Sequence, residues 1–532
     1  MNRYFSILDW GVLAAYFAAT MMIGLYFYRR SRSVDAFTAA NRSVPGWAAG
    51  LSIFGSYVSS ISFLALPGKA FAADWNPFVF SLSLPLAAWA AVRWFLPYYR
   101  ASGEVSAYSH LERRFGPWAR MYASVFFLLT QLARIGAVTY LMALPLAVLL
   151  GADLRVLILI TGLSTTLYAF VGGVLAVIWT DVMQSIVLIA GALLCAVLIM
   201  IGFPHGPGQL FSIAIEQHKF GLGSFGPSLA EPTFWVVLVY GLAINLQNFG
   251  IDQAYVQRYL ASPTLREAKK SVWLGGLLYV PVSMVFFFIG TGLFSYYQVH
   301  PEGMDEVKTF VAEQKLIQAN VSADAPDYAA QRERLRAELP AKELGDKVFP
   351  YFIGAHLPAG VRGLLIAAIF AAAMSTLSGC LNASATLIMR DFYQRYVNRA
   401  ATERQSMLVL YGGTIAWGIG GTAVALTLVR LTESALDVWW KLSGIAGGGM
   451  LGLFLLGFIS RRAGNPAAIA ATVLGLAVIA WMTLAKSMPA WARSPFHAFL
   501  IPVFGAMTIL LAGTLLAALL TWIARQKQDS IK

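Results

Sequence analysis

The chain has 532 residues, of which 58% are hydrophobic and only 12% are charged, and its mean hydropathy is +0.65. Ordinary soluble domains carry about 25% charged residues, so this composition excludes a soluble protein and indicates one polytopic membrane domain over residues 1–532. The formal charge of +13 comes from short basic clusters beside apolar segments, which indicates orientation in a membrane and not nucleic-acid binding. Cys195 and Cys380 both lie in apolar runs and predict no disulfide framework.

Apolar stretches long enough to cross a bilayer as helices, about 20 residues each, recur along the chain. Thirteen are predicted, near 8–29, 44–72, 76–98, 117–149, 154–173, 174–203, 232–251, 273–298, 363–389, 406–430, 435–460, 466–485 and 498–523. The predicted fold class is therefore an all-α polytopic membrane protein. The first stretch is too long for the apolar core of a signal peptide and lacks a small-residue cleavage site, so it is retained as a helix.

Basic residues are concentrated in every second loop. The loops and ends predicted to be cytoplasmic hold Arg29, Arg30 and Arg32, then Arg113 and Arg114, then Arg258, Arg266, Lys269 and Lys270, then Arg390, Arg395, Arg399 and Arg404, then Arg461 and Arg462. By the positive-inside rule, the N-terminus is expected outside and the C-terminus inside. The connection at 299–362 mixes acids and bases, and we expect an external insertion with one or two short amphipathic helices.

Hydroxyl side chains cluster near the middle of the second span, at Ser56, Tyr57, Ser59, Ser60 and Ser62. Any one of these serines could pack against a neighbouring helix or bond back to the preceding turn. The whole cluster favours a broken helix, with freed carbonyls and hydroxyls facing a cavity.

The ninth span carries small and hydroxyl residues on one face, because Ala372, Ser375, Ser378 and Gly379 follow helical spacing. Thr376 flanks this face. Such a face could offer oxygen ligands to a cation, with carbonyls from a partner helix. Close packing of small residues is the alternative.

Two charged residues lie well inside apolar spans, where charge is costly and usually functional. Asp181 in the sixth span could bind a cation, carry a proton or pair with a buried base, and the alternative is that its side chain reaches the membrane interface. Arg134 lies roughly 24 Å along the fourth span, and its guanidinium fork matches a carboxylate. An Arg134–Asp181 pair remains an alternative. Charged residues nearer the predicted span ends are expected to reach the interface, namely Lys69, Arg93, Asp437 and Lys441.

Four motifs are specific in combination: SxxFLALPG at the end of the second span, WTDVMQ from Trp179, DQAYVQRYLAS from Asp252, and AAAMSTLSGCLNASATLIMRDFY from Ala371. Together they resemble the sodium/solute symporter family, from the second span to the twelfth. The resemblance implies two inverted five-helix repeats of the leucine-transporter type, at 44–203 and 232–460. It also implies one extra helix at 8–29, two C-terminal helices at 466–523, and alternating access driven by sodium.

The resemblance further implies two ion sites. The principal sodium site would use the carbonyls of Gly55, Val58 and Ala372 with the hydroxyls of Ser375 and Thr376. A second site, present in some members, maps to Asp181, Ser375 and Ser378. Those members usually offer another hydroxyl where this chain has Gly379.

For the substrate, Ser59, Ser62 and Arg134 most resemble the sialic acid carriers of the family, in which such an arginine holds the substrate carboxylate. Ser60 is included as a further substrate contact, and the segment at 76–80 could form a wall of the pocket. The expected function is sodium-coupled import of a carboxylated solute across a bacterial-type inner membrane.

Other functions stay open. A small monocarboxylate, an amino acid or a neutral sugar could be the solute, and a solute-binding membrane sensor is an alternative of another class. An enzyme is not expected, because no His/Glu or Cys/His set converges within the spans. The expected partners are sodium, a small anionic solute and the lipid bilayer, without an obligate protein partner.

Overall fold

The structure, a computed structural model, describes residues 5–28, 33–150, 152–171, 173–319, 321–322, 324–430 and 435–529. Helices and no strands form within these ranges. The predicted all-α class is therefore confirmed.

The longer helices are labelled in chain order. They are α1 (Ile7–Tyr28), α2 (Gly46–Tyr57), α3 (Ile61–Ala72), α4 (Asn76–Ser102), α5 (Pro117–Leu150), α6 (Leu154–Val171), α7 (Val174–Ile201), α8 (Phe234–Ile251), α9 (Gln253–Leu260), α10 (Leu265–Val299), α11 (Pro301–Gln318), α12 (Tyr328–Glu338), α13 (Ala341–His356), α14 (Val361–Leu387, extended by a π-helical segment to Val397), α15 (Glu403–Leu428), α16 (Ala435–Ile459), α17 (Asn465–Thr483) and α18 (Ile501–Asp529).

The helices account for all thirteen predicted spans. Within the described residues, ten single helices and the pair α2–α3 are long and apolar enough to cross a membrane. Two shorter apolar helices, Leu154–Leu167 and Ser443–Ile459, complete the set. The predicted limits of the two repeats, 44–203 and 232–460, remain predictions.

Ordinary capping chemistry sets where several helices begin. Thr264 precedes α10 and accepts a hydrogen bond from the backbone N–H of Glu267. Thr402 precedes α15 and forms a reciprocal capping box with Gln405. Each cap satisfies a backbone donor that the first helical turn leaves without a partner.

The second span is broken, as predicted. Helix α2 ends at Tyr57, Val58 adopts an extended conformation (φ −80°, ψ 111°), and α3 continues at an angle of 58°. A buried backbone break must find partners for its freed carbonyls inside the protein. The break therefore places polar backbone carbonyls inside the bundle.

A second break follows the seventh span and was not predicted. Asp252 is extended (φ −73°, ψ 121°) and its side chain accepts a hydrogen bond from Ala254 N, which starts α9. Helix α9 is buried along most of its length. The assignment of Arg258 to a cytoplasmic loop is thus wrong, because this side chain is only 3% exposed.

Helix α14 forms the centre of the bundle and packs against α7, α15 and α5. Its residues are almost all buried, which small side chains permit because helix axes can then approach closely. Helix α18 lies at the periphery, where Leu511, Leu515 and Leu519 expose an apolar stripe. Such a stripe suits contact with lipid.

The insertion holds three helices, α11 to α13, and not the one or two predicted. Helix α13 packs against α3 and α5, with Val348, Phe349 and Ile353 fully buried. The insertion is therefore more than a solvated loop, since one of its helices covers the end of the broken span.

The sidedness of the bundle remains a prediction. Arg113 is half exposed, and Arg266 and Lys270 are exposed, as expected of loop residues. Lys69 is partly buried and Arg93 is exposed. Arg29, Arg30 and Arg32, and the side chains of Asp437 and Lys441, lie outside the described part of the chain.

Candidate functional site

The site begins with the carbonyls that end α2. The last turn of a helix leaves carbonyls without intrahelical partners, and here hydroxyls of α14 reach them. Ser375 Oγ donates to Gly55 O (2.6 Å), and Thr376 Oγ1 donates to Ser56 O (3.1 Å). The broken helix and the central helix are thus joined through oxygen-rich contacts.

Four of the five residues predicted for the principal sodium site converge here. Thr376 Oγ1 also lies 3.1 Å from Ala372 O, and Ser375 Oγ lies 3.5 Å from the same carbonyl. The carbonyls of Gly55 and Ala372 and the hydroxyls of Ser375 and Thr376 therefore lie close together at one buried position. Val58, the fifth residue, is fully buried at the start of the break.

The convergent oxygens are neutral, and carbonyls at unwound helix ends with neighbouring hydroxyls are typical sodium ligands in transporters. The described residues contain no group of three or more His, Cys, Asp or Glu side chains able to hold a metal. A monovalent, oxygen-preferring cation therefore suits this point better than a transition metal does.

Asp181, on α7, forms an ion pair with Arg258. Arg258 Nη2 lies 3.1 Å from Asp181 Oδ2, and Ser52 Oγ donates to the same oxygen at 2.5 Å. Arg258 Nε also donates to Ser52 Oγ (2.8 Å). The alternative Arg134–Asp181 pair is not formed, and Asp181 has the buried base that was one of its predicted roles.

The residues of the second predicted ion site are adjacent to this pair. Ser378 Oγ donates to Ser375 O (3.3 Å), and Arg258 Nη2 lies 3.4 Å from the same carbonyl. Asp181, Ser375 and Ser378 are thus brought together, but with a guanidinium among them.

Beside the break, a cavity of about 60 Å³ contains three of the four residues predicted to bind substrate. Ser59, Ser62 and Arg134 lie in its wall. The other polar wall residues are Tyr57, Ser81, Asn248, Tyr255, Tyr279 and Ser443. Pro77 and Phe80 from the 76–80 segment also line the cavity, as predicted.

Arg134 is fixed in the cavity wall by backbone and side-chain contacts. Its Nη2 donates to Ser56 O and to Tyr255 Oη, both at 2.9 Å. Its side chain is 9% exposed, and the buried Asp252 is close enough to act on it electrostatically. An anchored guanidinium at a cavity provides a positive charge for an anion, with its orientation already set.

Ser60 does not line the cavity. Its hydroxyl donates to Val138 O on α5 (2.9 Å), and the residue is fully buried. The break turns successive residues in different directions, so neighbours in sequence face different helices. The geometry therefore does not support Ser60 as a substrate contact.

Several cavity residues were missed by sequence reasoning, notably Asn248, Tyr255 and Tyr279, whereas Tyr57 belonged to the hydroxyl cluster expected to face a cavity. The motif from Asp252 could have pointed to Tyr255. A capping aspartate after Gly250 and Ile251 is typical of the start of a new helix, and Tyr255 lies on the helix that starts there. Tyr279 and Asn248 carry no such signal, since aromatic and amide residues are common on buried helix faces.

A model of the "Sodium:solute symporter family" matches residues 37–475. The chain is 32% identical to the sodium/sialic acid symporter SiaT of Proteus mirabilis over 518 residues, which cover 97% of this chain and 96% of that one. It is also 32% identical to the sodium/sialic acid symporter NanT of Aliivibrio fischeri, covering 96% and 93%.

A solved structure of a Na⁺-coupled sialic acid symporter, in a substrate-bound outward-open state, has a similar fold. The TM-score is 0.82 at 30% identity, covering 97% of this chain and 98% of that chain. The likeness confirms the predicted fold class of inverted five-helix repeats. The matched family model and the nearly full-length similarity show that this chain, a multi-pass membrane protein, belongs to the sodium:solute symporter family.

Proposed function

We propose that this protein imports sialic acid together with sodium by alternating access. The observation that carries the proposal is the shared carbonyl of Ser56. This carbonyl accepts one hydrogen bond from Thr376 of the predicted sodium site and another from Arg134 in the cavity wall. One peptide group thus links the proposed sodium site to the proposed anion site, which gives binding at one site a direct route to affect the other.

In this proposal, sodium binds among Gly55, Val58, Ala372, Ser375 and Thr376. The substrate carboxylate binds Arg134, and Ser59 and Ser62 offer hydroxyls to the sugar. Sialic acid is supported as the substrate by the two named relatives at 32% identity over nearly the whole chain. No bond of the substrate is made or broken in such a cycle, so the protein acts as a transporter and not as an enzyme.

Location and direction complete the proposal. The protein would lie in a bacterial-type inner membrane with the insertion helices α11 to α13 outside, and the inward sodium gradient would drive uptake. The basic loops support this orientation through the positive-inside rule.

A small monocarboxylate is the second candidate, because the guanidinium of Arg134 in the cavity wall would bind the carboxylate of a small acid as well as that of a sugar acid.

Uptake by reconstituted protein distinguishes these candidates. In proteoliposomes with an inward sodium gradient, we expect accumulation of labelled sialic acid well above that of labelled lactate, proline or glucose. The control is the same preparation with choline in place of sodium, where accumulation should disappear. Preferential uptake of lactate would favour the second candidate, and accumulation of none of the four would contradict sodium-coupled transport of these solutes.

A further inference from the structure

A second cavity lies where the end of α3 meets α10 and the insertion. Its volume is about 270 Å³, compared with about 150 Å³ for a cavity that holds benzene in another protein. Much of its wall is apolar, formed by Phe71, Ala72, Phe294, Met304, Leu339 and Leu344. None of the described residues in this wall also lines the cavity of Arg134. An apolar wall with a few polar groups is typical of a site for a small molecule.

Lys219 places a buried positive charge in this wall. The residue is 6% exposed, and its Nζ donates to Phe71 O and Ala73 O, both at 2.7 Å. The same nitrogen lies 3.8 Å from the centre of the Phe294 ring. Carbonyls at a helix end and the face of an aromatic ring both favour a cation. The ammonium group is therefore held in one position at the cavity.

The positive charge of the cavity is not balanced within its wall. Lys308 on α11 is a second cation there, and the described wall residues include no aspartate or glutamate. Burial lowers the pKa of the Lys219 ammonium to about 8, although the negative charge of Asp74 opposes this change. At neutral pH the group thus stays charged in a poorly solvated position. An anion in the cavity would stabilise it.

We propose that this cavity binds a small organic carboxylate with an apolar body. The lysines attract the carboxylate, and the aromatic and aliphatic wall residues accept the rest of the molecule. The cavity of Arg134 also offers a cation, but its wall is rich in hydroxyl and amide groups. The two cavities therefore select the same charge on molecules of different polarity.

A ligand in this cavity would contact three elements at once. Phe71 and Ala72 end α3, Phe294 belongs to α10, and Lys308 belongs to the insertion. Alternating access requires helices of the bundle to move against each other, and a ligand shared by these elements resists such movement. On the basis of the proposed function, we expect bound ligand to lower the maximal rate of sialic acid uptake without changing the half-saturating concentration of sialic acid.

Binding of phenylacetate to the protein in lipid nanodiscs, measured by calorimetry against empty nanodiscs, tests the proposal without requiring transport. We expect phenylacetamide, which lacks the charge, and acetate, which lacks the ring, each to bind at least roughly tenfold more weakly. Equal binding of phenylacetate and phenylacetamide, or no binding of phenylacetate, would overturn the proposal. Purely competitive inhibition of sialic acid uptake by phenylacetate would also overturn it.

Four variants locate the binding. Lys308→Gln should weaken phenylacetate binding roughly fivefold, and Ala72→Phe should abolish it by filling the cavity. Lys315→Gln is the matched control on α11, because Lys315 pairs with Glu343 and does not line the cavity. Arg134→Gln should bind phenylacetate as the wild type does. Loss of binding in Arg134→Gln, with binding retained in Ala72→Phe, would place the ligand in the other cavity and contradict the proposal.

Discussion

Arg134→Gln is expected to abolish the preference of this protein for sialic acid over the neutral amide of sialic acid. In the wild type, the carboxylate of the acid accepts charge-assisted hydrogen bonds from the Arg134 guanidinium, and the neutral amide cannot replace them. A hydrogen bond to a charged group contributes about 1.5–3 kcal/mol, so the acid should bind at least roughly tenfold more tightly. In Arg134→Gln, acid and amide should bind about equally weakly. Equilibrium binding of both ligands to purified protein measures the difference.

Two variants serve as controls for this prediction. Arg134→Lys keeps the positive charge near Asp252 but loses the bidentate fork, so the protein should fold and bind sodium while its affinity for the acid falls. Ser60→Ala should bind both ligands as the wild type does, because the Ser60 hydroxyl is bonded to Val138 O and not to the cavity. If wild-type protein binds the amide as well as the acid, Arg134 does not bind the carboxylate, and a neutral solute becomes the better hypothesis.

Replacing both Ser375 and Thr376 by alanine is expected to weaken sodium binding at least about tenfold, which is about 1.4 kcal/mol. The change removes two of the four converging oxygens, and the carbonyls of Gly55 and Ser56 lose their hydroxyl donors on α14. The sodium concentration for half-maximal uptake measures the effect. Ser60→Ala is the control, since it removes a hydroxyl that is bonded to Val138 O on α5 and not to the converging oxygens. Unchanged sodium dependence in the double variant would contradict the site.

The spans and the first break were predictable because they depend on local composition. Twenty apolar residues signal a crossing wherever they occur, and five hydroxyls around Val58 are difficult to explain in a continuous helix. Local composition did not predict that the second and ninth spans meet at an ion site. That prediction came from the family motifs, because residue spacing alone left close packing of small residues as an alternative.

The role of Arg258 could not be read from the sequence, for a physical reason. An arginine a few residues beyond an apolar span ordinarily reaches water, and its partner Asp181 lies on a distant span. Only the second break, which sends α9 back into the bundle, brings the two together.

Ser60 and the insertion show a second limit. A cluster of serines at a break predicts a polar cavity, but the direction of each hydroxyl depends on how the chain turns at that break. Helix α13 likewise looks amphipathic and solvated in sequence, yet its apolar face packs against α3 and α5. Its packing depends on surfaces that other spans present.

The central claim is that the sodium site and the carboxylate site are coupled through the end of α2. Binding of sialic acid to the purified protein, measured by calorimetry in sodium chloride and in choline chloride at equal ionic strength, tests this most directly. We expect sodium to raise the affinity for sialic acid roughly 5- to 150-fold, and sialic acid to raise the affinity for sodium by the same factor, as linkage requires. Equal affinity for sialic acid in the two salts would contradict the claim.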